Sequence, residues 1–194
     1  MLKTALLTFL AVAVAIGLGG GSVWYALDAQ AGVGAIRAGP WTAFPDIGTA
    51  AADPYTQART AREGVLTLGR AEGLAFVAGS DSGGAPLRRE CVYRLEGGFP
   101  IARFFTLYAA DGSLDAIDTG KRRRAALQSM QILRRPDDTA VISTGSHPLP
   151  GNWLAVTGKG PLYFVLTFYD TPIATSTGLS DIEMPAIRKV GCHA

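Results

Sequence analysis

Histidine and cysteine are scarce, with two of each in 194 residues, too few and too poorly spaced for the four-ligand Cys/His set of a structural zinc site. A surplus of one charge is lacking as well. Eighteen Lys plus Arg against 16 Asp plus Glu give a formal net charge of +2, far from the basic balance of a dedicated nucleic-acid binder. DNA and RNA are therefore not expected as partners. Only 18% of residues are charged while 48% are apolar, which excludes a disordered chain, and the length leaves room for one domain of ordinary size. No complete set of nucleophile, acid and base can be assembled, and no cofactor or metal is expected. Gly17-Leu18-Gly19-Gly20-Gly21-Ser22 lacks the last glycine of a dinucleotide loop and lies within an apolar run.

That apolar run is the first feature that is present. Residues 4–27 are 24 consecutive residues without a charge, and a helix of this length covers the roughly 30 Å hydrocarbon core of a bilayer. Lys3 precedes the run, while Trp24, Tyr25 and Asp28 mark its far end. This arrangement predicts a single-pass anchor in a bacterial inner membrane, with the N-terminus cytoplasmic and the remaining chain in the periplasm. Ala29-Gln30-Ala31 has the form of a signal cleavage site, but a cleaved signal carries an apolar region of only about 7 to 15 residues. Gly17 and Gly21 have the spacing that lets two such helices approach closely, which suggests a weak homodimer through the anchor.

Residues 28–52 read as a linker, rich in Ala and Gly and broken by Gly39-Pro40 and Phe44-Pro45. The domain proper is expected over residues 53–194. Asp53-Pro54 supplies a capping carboxylate and a proline at the first helical position, which predicts a short helix ending at Gly64. Beyond it the pattern becomes alternating, with strands expected at residues 74–77, 90–95, 101–108, 127–133, 139–143 and 161–169, separated by Gly, Pro and Asp turn signals. Short strands at such intervals point to a mainly β, antiparallel sandwich or barrel. In the strongest run, Leu162, Phe164, Leu166 and Phe168 are expected to fill the core, and Tyr163, Val165, Thr167 and Tyr169 to form the other face.

Several of these segments together resemble one bacterial family. They are Asp53-Pro54-Tyr55, Gly73-Leu74-Ala75-Phe76 followed by Asp81 and Gly83, Cys91-Val92-Tyr93-Arg94-Leu95, Phe99-Pro100 before Arg103-Phe104-Phe105, and Gly151-Asn152-Trp153-Leu154 leading to Tyr163-Phe164-Val165. The chain is similar to the DUF1214 family over roughly residues 53–190. The resemblance implies a jelly-roll-like β-sandwich and, as a partner, a DUF1254-domain protein. Two departures stand out: Ala155 where the family usually has Pro, and Thr167 where it usually has Arg.

Few residues are candidates for chemistry. Asp81-Ser82-Gly83-Gly84 looks like a serine nucleophile loop, but both histidines, His147 and His193, follow it in the chain, and a plain hairpin turn accounts for it. Cys91 and Cys192 form a disulfide candidate in an oxidising compartment. Closing a loop of about 100 residues would stabilise the fold by up to about 4 to 5 kcal/mol. Lys121-Arg122-Arg123-Arg124 is a basic patch suited to a solvated loop or to anionic lipid. Asn152 and Trp153 are the binding candidates, with Trp153 either a structural anchor or a ligand-contacting ring. The expected function is a non-catalytic envelope binding module. The alternative is an envelope hydrolase acting on a glycan or other surface polymer, using carboxylates such as Asp81, Glu90 or Asp111.

Overall fold

A computed structural model describes residues 2–28, 35–63, 68–69, 72–120, 125–174 and 182–192. The chain divides into two compact units, one of residues 1–35 and 46–67, the other of residues 36–45 and 68–194.

The first unit contains two helices. Helix α1 spans Leu2–Asp28, and its stretch Leu2–Tyr25 is long and apolar enough to cross a membrane, with none of it buried by protein. Leu6, Phe9, Ile16 and Leu18 are all exposed, so apolar side chains surround the axis instead of forming one stripe. Helix α2, Pro54–Glu63, starts as its sequence dictates. The Asp53 carboxylate accepts hydrogen bonds from the backbone N–H and hydroxyl of Thr56, Pro54 takes the first helical position, and Arg62 lies in the last turn, where a cation suits the helix dipole.

The second unit is two β-sheets. Among the described residues ten strands follow in order: β1 Ile36–Ala38, β2 Trp41–Ala43, β3 Gly73–Ala78, β4 Cys91–Gly97, β5 Phe104–Ala110, β6 Ala126–Gln128, β7 Ala140–Gly145, β8 Asn152–Ala155, β9 Tyr163–Tyr169 and β10 Ala186–Cys192. One sheet has the order β1-β2-β3-β9-β5-β6, the other β10-β4-β7-β8. Alternation places Leu74, Phe76, Phe105, Leu107, Phe164, Leu166 and Phe168 of the first sheet in one core with Tyr93, Leu95, Ile142, Leu154 and Ile187 of the second. Phe76 and Phe168, and likewise Tyr93 and Phe164, meet edge to face. At the start of β3, Gly73 allows close backbone approach: a Cβ there would lie 2.2 Å from the Phe168 carbonyl oxygen.

Three features differ from the reading of the sequence. The stretch expected as a linker contributes β1 and β2, and Trp41 within it is fully buried, donating its indole N–H to the Pro185 carbonyl at 2.8 Å. The Gly39-Pro40 punctuation is a hairpin turn, Gly39 having φ 60°. The four-stranded sheet is mixed, not antiparallel throughout, because β7 and β8 pair in parallel with Ile142 opposite Asn152. Pro148, Pro150 and Gly151, the last at φ 81°, turn the intervening chain back so that β8 starts beside the middle of β7. The run expected as a strand over 127–133 pairs only at Ala126–Gln128 and then becomes a 3-10 turn at Ser129–Gln131.

Candidate functional site

Most polar side chains that sequence reasoning singled out are engaged by the backbone of the chain itself. Ser82 forms a two-bond rung with the edge strand β10: its N–H donates to the Ile187 carbonyl at 2.9 Å, and its hydroxyl accepts from the Ile187 N–H at 2.9 Å. Asp81 Oδ1 accepts from the N–H groups of Gly83 and Ala85, each at 2.9 Å, which makes the loop the turn its composition implies. Asp111 Oδ1 holds a similar turn through the N–H groups of Ser113 and Asp115. Glu90 Oε1 accepts from the Gly160 N–H at 3.1 Å and lies 3.6 Å from the Arg88 guanidinium, while its Oε2 is out of solvent without a hydrogen-bond partner. The Glu90 carboxyl is held below its ordinary range, first by its own backbone N–H and further by Gly160 and Arg88, with desolvation opposing.

Asn152 closes the opposite side of the sandwich. It is buried, its Oδ1 accepts from the Leu133 N–H at 2.7 Å, and its Nδ2 donates to the carbonyls of Leu133 at 2.8 Å and Val141 at 3.0 Å. The carboxamide thus acts as one rung of a ladder between β8 and the segment after β6. Cys91 and Cys192 stand opposite each other in the β4–β10 register, with their sulfurs bonded at 2.05 Å. His147 Nδ1 lies 3.0 Å from the Ser146 hydroxyl. Lys121, Arg122, Arg123, Arg124 and His193 lie outside the described residues. A shallow pocket of about 290 Å³ is lined by Pro40, Ser82, Ile182, Glu183 and Met184 among others, and among the described residues Glu183 is the one carboxylate in its lining.

Trp153 is different, because it points away from the core. On the outer face of the four-stranded sheet, register places Arg188 of β10 opposite Arg94 of β4, Arg94 opposite Ser143 of β7, and Ser143 opposite Trp153 of β8. These four side chains form one row across the sheet, about 14 Å from end to end at the usual strand spacing. Arg94 and Arg188 are exposed; Ser143 and Trp153 are half-buried. Arg188 lies 3.5 Å from Glu96, but among the described residues no carboxylate pairs with Arg94. Trp153 donates its indole N–H to the Gly145 carbonyl at 3.2 Å, so the ring is fixed and its remaining contact surface is carbon. Sequence reasoning found only Trp153 of this row. The parity of β4 was a usable signal for Arg94, flanked by the buried Tyr93 and Leu95, but the neighbours in the row come from strand register alone.

The profile of a family described as protein of unknown function (DUF1214) matches residues 72–173. The chain belongs to the DUF1214 family. Among solved structures, the VPA0106 protein from Vibrio parahaemolyticus shares the fold with a TM-score of 0.56 and 21% sequence identity, over 72% of this chain and 36% of that one. An uncharacterised protein from Burkholderia cenocepacia aligns with a TM-score of 0.43 and 18% identity, over 61% of this chain and 29% of that one. This DUF1214 chain therefore spans only about a third of the length of the solved proteins it matches. No curated protein matches its sequence.

Proposed function

We propose that this protein is a single-pass envelope protein whose DUF1214 sandwich is a binding module, not an enzyme. One observation carries the reading. Ser82, Asp81, Asp111 and Asn152 are all engaged by backbone groups of the chain itself, whereas the row ending at Trp153 faces outward with an Arg94 that no carboxylate among the described residues pairs. A hydrolase of glycans would need two carboxyl groups facing one cleft, and the carboxylates considered for that role hold turns and strand starts. The apolar helix α1, with Lys3 before it and Trp24 and Tyr25 near its far end, supports a membrane anchor that leaves the sandwich in the periplasm. The family resemblance supports a DUF1254-domain protein as a partner, and Gly17 and Gly21 support a weak contact between two anchors.

Topology and binding are tested separately. A C-terminal alkaline phosphatase fusion should be active and a C-terminal green fluorescent protein fusion dark; the reverse pattern removes the periplasmic placement. A pull-down from solubilised membranes should recover a DUF1254-domain protein or another defined envelope component. Recovery of neither counts against the binding module.

A further inference from the structure

We infer that the Arg188–Arg94–Ser143–Trp153 row binds an acidic glycan, a polymer of sugar rings bearing carboxylates, laid across the strands of the four-stranded sheet. This rests on the binding-module reading and names its ligand class. The first step is electrostatic. Two cations directly opposite each other on neighbouring strands repel, and such a pair weakens a sheet unless an anion lies between or over them. Glu96 meets Arg188 at 3.5 Å, but Arg94 remains without a carboxylate among the described residues. A guanidinium offers two parallel N–H donors that fit a carboxylate, so the pair is built to receive anionic oxygens from outside the chain.

The second step is the indole. Trp153 stands two strands from Arg94 in the same row, with Ser143 between them. Its N–H is held by Gly145, which leaves the ring to make apolar contact. The C–H face of a pyranose fits such a surface, and the Ser143 hydroxyl beside it can donate to or accept from ring hydroxyls. A pyranose is about as long as the ~4.8 Å strand spacing, so successive sugars of an extended chain fall over successive strands. An acidic peptide would satisfy the two arginines but has no repeating apolar face for the indole.

The test uses the full chain in nanodiscs of uncharged lipid, probed by interferometry with polygalacturonate, neutral dextran and polyglutamate of matched length. Polygalacturonate should bind at least about tenfold more tightly than either other polymer. Arg94→Gln and Arg188→Gln should each weaken it about tenfold or more, as loss of a charge-assisted pair implies, with no large fall in the thermal midpoint, because both side chains are exposed and each change removes one charge of a like-charged pair. Trp153→Leu should weaken it, and Trp153→Phe, which keeps a ring, should weaken it less. Equal binding of polyglutamate overturns the glycan assignment in favour of an acidic protein surface. Equal binding of dextran, or full affinity in Arg94→Gln, overturns the acidic requirement while the binding-module reading stands. Absence of binding to all three polymers overturns the inference, and the pull-down then judges the binding module independently.

Discussion

The carboxamide of Asn152 and the backbone of Leu133 exchange two hydrogen bonds, at 2.7 and 2.8 Å, as two residues facing each other on paired strands would. On the other side of the sandwich Ser82 does the same for Ile187 with its hydroxyl and N–H. The edge strand β10 thus has the Ile187 backbone groups occupied by Ser82, groups that an open edge would offer to another chain, while Asn152 ties the start of β8 to the segment after β6.

Replacing Asn152 tests this arrangement. Asn152→Ala leaves the Leu133 N–H and two carbonyls without their buried partner, and should lower stability by roughly 2 to 4 kcal/mol. Asn152→Asp should be no better, since a carboxylate would face the carbonyls of Leu133 and Val141. Thermal or urea unfolding measures both, and wild-type stability in Asn152→Ala would show that the rung is dispensable.

The bond between Cys91 and Cys192 ties an edge strand to its neighbour across 101 residues of sequence. Protein purified from the envelope without reductant should yield one linked peptide containing both residues. Replacing either cysteine by Ser should destabilise by about 2 to 5 kcal/mol. Two free thiols in that preparation would refute the linkage in the cell.

Burial pushes the Tyr108 phenol above its ordinary value of 10.0, with Tyr169 and Asp115 adding to the rise, and burial does the same for Tyr93 against the opposing Arg88 N–H. Both folded values are raised, so the folded chain holds these protons to higher pH than the unfolded chain. The stability they contribute is complete below the unfolded value and is lost as pH rises through the folded one. An absorbance titration of the six tyrosines should show two late ionisations, one absent in Tyr93→Phe and one in Tyr108→Phe. A single step at the ordinary value would contradict this.

Gly73→Ala should be among the most damaging single methyl additions. The new Cβ would meet the Phe168 carbonyl oxygen at 2.2 Å, a backbone atom that cannot swing aside, so the β3–β9 ladder must part locally. The expected loss is about 3 kcal/mol or more, read from the unfolding midpoint. Near-native stability would mean that β3 begins after Gly73.

Strand β9 was legible as a short, almost wholly apolar and aromatic run bounded by Pro161 and Asp170; Leu162, Phe164, Leu166 and Phe168 are buried as expected, but so are Val165 and Thr167 on the other face. The α2 start was legible for a similar reason, its cap being local. Strand β10 was not: Ile187 is its one buried side chain, and Arg188, Lys189 and Val190 are exposed in succession, so no alternation exists to be read. Strands β1 and β2 have three residues each, too short for a period, and β8 is defined by its parallel register with β7. The candidate site shares this limit. Trp153 could be picked out as a large ring after a proline-rich turn, but Arg94, Ser143 and Arg188 become neighbours only when three separate ladders are in register.

The ties that hold β10 also set an order of assembly. Trp41 reaches Pro185 across 144 residues, Ser82 reaches Ile187 across 105, and Cys91 reaches Cys192 across 101. Strands β4 and β7 are made long before residues 186–192 emerge, and until then β4 has an open edge and the Ser82 hairpin has nothing to bind. High contact order of this kind makes folding slow and leaves that edge exposed to other chains in the interval. The four-stranded sheet therefore cannot be completed on its β4 side before residues 186–192 are available.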